Sequence, residues 1–229
     1  MPFVLAKVFK IFILPTITIL AVFSSIIPAS LIAQEEKAYE ILETAEEHYQ
    51  ALNNLCARFH QEIDVTLLKE KKYGEGIVCQ RQPSEFSMRF SKPDGDMVIV
   101  DGNFLWVFYP SIDRKQVMRF TASNSEGRFN FYKNLLRDPR ERFDAEYQGI
   151  EEIGSVLSHK ISVTPNVRSE FHSAVVWIDT DRFLITGIDV HDANESIRRI
   201  RLTDIKVDVD MPEDEFSFIL PPGTVVITR

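Results

Sequence analysis

From residue 56 onward the apolar side chains of this chain recur at every second position, and they do so with one short interruption as far as residue 207. In CARFHQEIDVTLL (56–68), Ala57, Phe59, Ile63, Val65 and Leu67 share one face with Gln61. Cys56, Arg58, His60, Glu62, Asp64 and Thr66 take the other. A period of two with one polar face describes a strand whose sheet buries one side. Similar segments follow: YGEGIVCQRQP, EFSMRF, MVIV, NFLWVFYP and DRKQVMRF, then FDAEYQGIEEIG, SVLSHKISVTP, SAVVWIDT, FLITGIDVHD and SIRRIRLTDIKVDV. About the first six follow one another without a helix between them, so the sheet is antiparallel rather than built from βαβ units. The expected sheet has about 11 strands. A sheet that long must curl or close, which creates a concave face needing cover.

Two segments are available as cover. Residues 35–53 place Ala38, Ile41, Leu42, Ala45, Tyr49 and Leu52 in one helical stripe, with Glu35 and Glu36 in the first turn, where the helix dipole favours anions. Residues 127–142 place Phe129, Tyr132 and Leu136 at helical spacing beside Leu135, and Pro139 ends or kinks that run. The class is α+β, mainly antiparallel β, in one domain over residues 34–229.

The first 33 residues read as a separate device. Lys7 and Lys10 precede a long apolar run, and LIA leads to Ala33. This is the pattern of a signal peptide cut after Ala33. An uncleaved anchor is the alternative, because the apolar run approaches the length of a membrane span; Pro15 and the small-residue end favour cleavage. The chain carries 34 Asp and Glu against 26 Lys and Arg, a net charge of −8. Loss of Lys7 and Lys10 would make it two units more negative. An acidic surface repels phosphate backbones and argues against nucleic acid.

No catalytic or metal pattern is legible. His48, His60, His159, His172 and His191 fit no ligand spacing, no nucleophile elbow is present, and the carboxylate clusters fit no calcium loop. The expectation is a chain without enzymatic activity, cofactor or metal. The aromatic content stands out instead, with 17 Phe, 6 Tyr and 2 Trp. On a curled sheet such side chains suit a cavity for an apolar ligand. Phe59, Val78, Phe86, Met88 and Phe90 fall on the expected concave face.

The stretch MVIVDGNFLWVFYP (97–110) is a hairpin by its Asp101-Gly102 turn. Its second strand is apolar on both faces, so parity does not say which face lines the cavity. We place Trp106 inward, with Leu105, Val107 and Tyr109 outward. Parity also puts Cys56 and Cys79 on one outer face. A disulfide between them is allowed by facing, but a turn drawn at Lys69–Lys72 leaves them several residues out of step.

Several of these motifs together resemble the LolA family of outer-membrane lipoprotein carrier proteins. ARFHQ (57–61) is similar to its first-strand F-x-Q signature. GEG (74–76) ahead of Pro83 and EFSMRF (85–90) after it resemble the next strands. MVIVDGNFLWVFYP resembles its D-G-x-x-L-W-x-Y-x-P hairpin, VTP (163–165) a strand end, and EFSFILPPG (215–223) the tail. The resemblance runs from about residue 35 to 227. It implies an unclosed half-barrel with a helical lid over an apolar cavity. Ile41, Leu42, Phe129, Tyr132 and Leu136 would supply the lid. It further implies a monomeric periplasmic chaperone, which accepts the acyl chains of lipoproteins from an inner-membrane ABC transporter of the LolCDE type. Delivery would be to an outer-membrane receptor of the LolB type. Where the family carries a basic latch residue before the proline, this chain has Gln82, with Arg81 moved to the outer face. The alternative is a module of the same fold that senses lipids or lipoproteins and regulates a partner.

Overall fold

The structure is a computed structural model; it describes residues 29–121, 135–166, 169 and 171–228, with side chains from residue 33. Helix α1 spans Ala29–Ala51. Strands β1 (Asn54–Val65), β2 (Glu70–Arg81), β3 (Glu85–Lys92), β4 (Met97–Val100), β5 (Phe104–Phe108) and β6 (Gln116–Thr121) follow. A short helix α2 (Pro139–Arg142) precedes β7 (Phe143–Ile153), β8 (Val156–Pro165), β9 (Phe171–Asp179), β10 (Ile185–Asp192), β11 (Ile197–Val207) and β12 (Val225–Thr228). Helix α1 begins earlier than the apolar stripe predicts. Glu35 and Glu36 therefore do not sit in its first turn, which carries no acid.

All strands join one 12-stranded sheet in the order β12-β6-β5-β4-β3-β2-β1-β11-β10-β9-β8-β7. The count exceeds the expected 11 by one. Each adjacent pair is antiparallel except β12 with β6. The edge strands β12 and β7 do not pair, so the barrel is unclosed. The β1–β11 ladder joins the two meanders, with Phe59 opposite Leu202 and Gln61 opposite Ile200.

Register builds the inner face row by row. Ala57 lies opposite Val78, Val78 opposite Met88, Met88 opposite Val98, and Val98 opposite Val107. A parallel row runs from Leu55 through Gln80, Phe86 and Val100 to Leu105. The apolar members of these rows form one buried cluster with Ala38, Ile41, Leu42, Ala45 and Tyr49 of α1. The helix stripe and the strand alternation thus meet, as two one-sided surfaces must in order to leave water.

The opposite face carries the two cysteines. Cys56 lies directly opposite Cys79, and their sulfurs are bonded at 2.04 Å. The out-of-step register expected from a Lys69–Lys72 turn is corrected here. The chain reverses earlier, through a 3-10 turn at Thr66–Leu68 and a left-handed Lys69, so Val65 pairs with Glu70. That outer face also has a small core of its own. Ser87 and Ile99 are fully buried there, and the tail segment with Glu215 and Phe216 covers them.

Gly76 marks a close approach between strands. A Cβ built on it would fall 2.0 Å from the Arg89 carbonyl oxygen, beside a register shift between Glu75 and Gly76. A bulge at such a point bends a strand and tightens its twist, as a curled sheet requires.

Candidate functional site: the covered concave face

The concave wall is built from alternate residues of β1 to β5. Phe59, Val78, Phe86 and Met88 are each no more than 5% exposed and belong to the buried cluster that α1 covers. Phe90 is half-buried against it, edge-on to Phe59 at 4.9 Å and to Tyr109 at 6.3 Å. Glycine makes room for this ring, since a Cβ at Gly74 would meet it at 2.7 Å.

Trp106 is not on this wall, contrary to the expectation from parity. Leu105 and Val107 join the inner cluster, and Tyr109 packs against it. Trp106 lies on the outer face, stacked on Phe218 of the tail at 4.9 Å with 17° between the ring planes. Its indole N–H donates to Asp101 Oδ2 at 2.8 Å, while Oδ1 accepts the Asn103 and Phe104 amides at 2.9 and 2.8 Å. The Asp-Gly turn therefore anchors the ring it precedes. The inward set is decided by the tail: Phe218 needs a flat outward partner, and the smaller Leu105 and Val107 fit beneath the helix.

The covering side is partly described. Ile41 and Leu42 of α1 are 5% and 0% exposed, and Leu136 is also 0% exposed with Leu135 beside it in the cluster. Phe129 and Tyr132 lie outside the described residues. Helix α1 is tied down at several points. The Tyr39 hydroxyl donates to the Phe143 carbonyl at 2.9 Å. At the solvent side Arg140 clamps Glu36 and Glu43 and sits over the Tyr39 ring. This clamp holds Glu36 below the usual carboxylate range, chiefly through its hydrogen bond to Arg140.

Gln82 reaches the same helix. Its Nε2 donates to the Tyr49 carbonyl at 3.2 Å, while its backbone N–H donates to the Asn53 carbonyl at 3.0 Å. The Tyr49 hydroxyl accepts the Ile185 amide at 3.1 Å, and burial pushes its pKa far above the ordinary phenol value. Tyr49 thus joins the end of α1 to both halves of the sheet. The sequence pointed to Gln82; the part played by Tyr49 was hidden, because in the stripe it reads as one more apolar position. Arg81, on the outer face, pairs with Glu85 at 2.6 and 3.0 Å over the ring of Phe216.

Among the described residues, space between wall and lid is small at the Tyr49 end of α1. A void of about 20 Å³ is lined by Tyr49, Leu55, Val78, Phe86, Ile185 and Leu202. That is room for about one water and for no acyl chain. The α1 stripe itself packs into the buried cluster of the wall. Removing the Gln82 amide should loosen the lid rather than the fold. For Gln82→Ala we expect hydrogen exchange at the α1 amides to quicken several-fold, consistent with a neutral hydrogen bond worth about 1 kcal/mol. Amides of β8 and β9 should be unaffected. Equal acceleration in all of them would assign Gln82 to global stability.

Among the described residues no His, Cys, Asp and Glu cluster is placed to hold a metal ion, and no helix is long and apolar enough to cross a membrane. Among solved structures, the fold matches an uncharacterized conserved protein from Thermus thermophilus with a TM-score of 0.55. That match is at 12% identity, over 84% of this chain and 99% of that one. The lipoprotein LppX of Mycobacterium tuberculosis matches with a TM-score of 0.51 at 13% identity, over 77% and 98%. These likenesses concern the fold. In sequence, an outer-membrane lipoprotein carrier protein of Shewanella amazonensis is 22% identical over 209 residues, 91% of this chain and 96% of the relative. One from Xanthomonas campestris is 24% identical over 177 residues, 77% and 82% of the two chains. Residues 50–219 match the family described as outer membrane lipoprotein carrier protein LolA, and the chain belongs to that family.

Proposed function

We propose that this protein is a periplasmic chaperone that shelters the acyl chains of lipoproteins between membranes. One observation carries the reading: an apolar wall on an unclosed sheet is covered by an amphipathic helix, and at the Tyr49 end of that helix the described residues leave a void of about 20 Å³. A ligand must take the place of α1, so binding is an exchange of one apolar cover for another. Each buried methylene contributes about 0.8 kcal/mol, so one acyl chain offers on the order of 10 kcal/mol. Displacing Ile41, Leu42 and Tyr49 offsets much of that, which keeps the cargo releasable. Phe59, Val78, Phe86, Met88 and Phe90 are the wall, joined by Leu105 and Val107. Ile41, Leu42 and Leu136 are the cover, and Gln82 with Tyr49 is the latch.

Family membership supports the rest of the reading. Cargo would come from an inner-membrane ABC transporter of the LolCDE type and go to an outer-membrane receptor of the LolB type, with no chemistry performed on it. Cleavage after Ala33 would place Glu35 and Glu36 in the first turn of the shortened α1, where the dipole favours them. Mass spectrometry of what co-purifies with the protein from the host envelope tests the proposal. Intact acylated proteins are expected. Free lipids without any lipoprotein would replace it with a lipid-sensing or lipid-carrying role.

A further inference from the structure

On the concave face of β11 a charged residue stands among apolar neighbours. On β11, Arg198 lies opposite Ile63 on one side and Val190 on the other, in the inward alternation with Ile200 and Leu202. Its neighbours Arg199 and Arg201 point outward and are well bonded: Arg199 to Glu62 at 2.9 Å, Arg201 to Asp189 at 2.6 Å. Arg198 has only a loose ion pair, its Nη2 standing 3.6 Å from Asp192, beyond the roughly 2.7–2.9 Å of a charge-assisted bond. Its Nε is buried and has no hydrogen-bond partner among the described residues. The other such atom, Nε of Arg119, belongs to a guanidinium stacked near Phe104 and Trp106 at 4.8 and 5.6 Å, which accounts for it.

A buried N–H without a partner costs about 1–3 kcal/mol and calls for an explanation. The surroundings offer one. From Phe59 the rings of Phe90 and Tyr109 continue in sequence along the inner wall. The charge of Arg198 acts on Tyr109, opposing the upward push of burial on that phenol. An apolar aromatic track thus runs toward a guanidinium that stands opposite Ile63 of β1, the strand end away from the Gln82 latch beside Asn53. The side chain as a whole is 36% exposed, while its Nε N–H is buried.

We propose that Arg198 binds an acceptor oxygen at the head of an acylated ligand, an ester carbonyl or an anionic oxygen, while the chain lies along Phe90 and Phe59. The inference rests on the carrier reading and adds a polar point of registration to it. Arginine suits the task because its fork of donors remains charged at any physiological pH and binds planar oxygen pairs.

Displacement of the neutral dye N-phenylnaphthylamine from the protein measures this. Three competitors share a chain length: palmitate, with a carboxylate; dipalmitoylglycerol, uncharged, with two ester carbonyls and a hydroxyl; and hexadecane, with no oxygen. Arg198→Met keeps an unbranched apolar stem and removes the donors of the guanidinium. We expect palmitate to weaken about tenfold on that variant, the scale of one charge-assisted bond. Dipalmitoylglycerol should weaken less, and hexadecane should be unchanged. Loss for palmitate alone would assign an anionic oxygen, and loss for both oxygenated ligands would include the ester. Equal affinities for wild type and variant with all three ligands overturn the role of Arg198 and leave the carrier reading standing. Failure of all three to displace dye from the wild type overturns the carrier reading and this inference with it. A melting curve checks that the variant folds, and Arg198→Gln serves in its place if it does not.

Discussion

Replacing Leu42 with aspartate is expected to lift α1 off the sheet while the sheet itself persists. Leu42 is fully buried at the centre of the stripe formed by Ala38, Ile41, Ala45 and Tyr49. Truncating such a leucine costs about 2–5 kcal/mol, and an unpaired carboxylate in the same place adds several more. The buried polar bonds at the end of the helix, Gln82 to the Tyr49 carbonyl and Ile185 to its hydroxyl, contribute about 1 kcal/mol each and do not offset that. The sheet does not depend on α1 in the same way. Its ladders run strand to strand through 12 strands, and Cys56–Cys79 closes its first hairpin. The expected signature is loss of hydrogen-exchange protection confined to α1, with a several-fold rise in binding of a neutral apolar dye. Wild-type protection along α1, with unchanged dye binding, would show that the helix is not a displaceable cover.

Among the described glycines, Gly76→Ala is expected to be the most damaging substitution by alanine. The new Cβ would lie 2.0 Å from the Arg89 carbonyl oxygen and 2.8 Å from the Cα of Phe90. Both are backbone atoms, so no rotamer change relieves the contact, and β2 and β3 must separate at the bend. Overpacking usually costs about 1–3 kcal/mol, and a clash against a paired backbone belongs at or above the top of that range. Gly74→Ala is the control. Its Cβ meets the ring of Phe90 at 2.7 Å, a side chain that can turn, so the loss should be smaller and should appear mainly in ligand affinity. Chemical denaturation of the two variants checks the order, and equal stabilities would remove Gly76 from its role at the bend.

Much of the fold was legible from spacing, because a one-sided strand and a one-sided helix each need only local periodicity to declare themselves. Phe59, Val78, Phe86 and Met88 share a face for that reason. The hairpin at Asp101-Gly102 was equally local, and its carboxylate is seen to bind the Asn103 and Phe104 amides. Elements whose positions depend on distant partners were not legible in this way. The disulfide turned on where β1 reverses, and a shift of the turn by a few residues decides whether Cys56 meets Cys79. Trp106 was misplaced because both faces of β5 are apolar and alternation then carries no sign. Its true neighbour, Phe218, is more than a hundred residues away in the chain.

What the amino-acid order determined by itself was therefore the set of surfaces: a long antiparallel sheet with an apolar face, a striped helix to cover it, and the motifs of a carrier family. Those surfaces follow from periods of about 2 and 3.6, which each segment carries within itself. The tertiary structure alone decided how the surfaces are used. It seated Tyr49 between Gln82 and Ile185, turned Trp106 outward onto the tail, and left Arg198 on the inner wall with an unbonded N–H. Each of these depends on contact between segments far apart in sequence, where register and packing volume, rather than local pattern, select the partner.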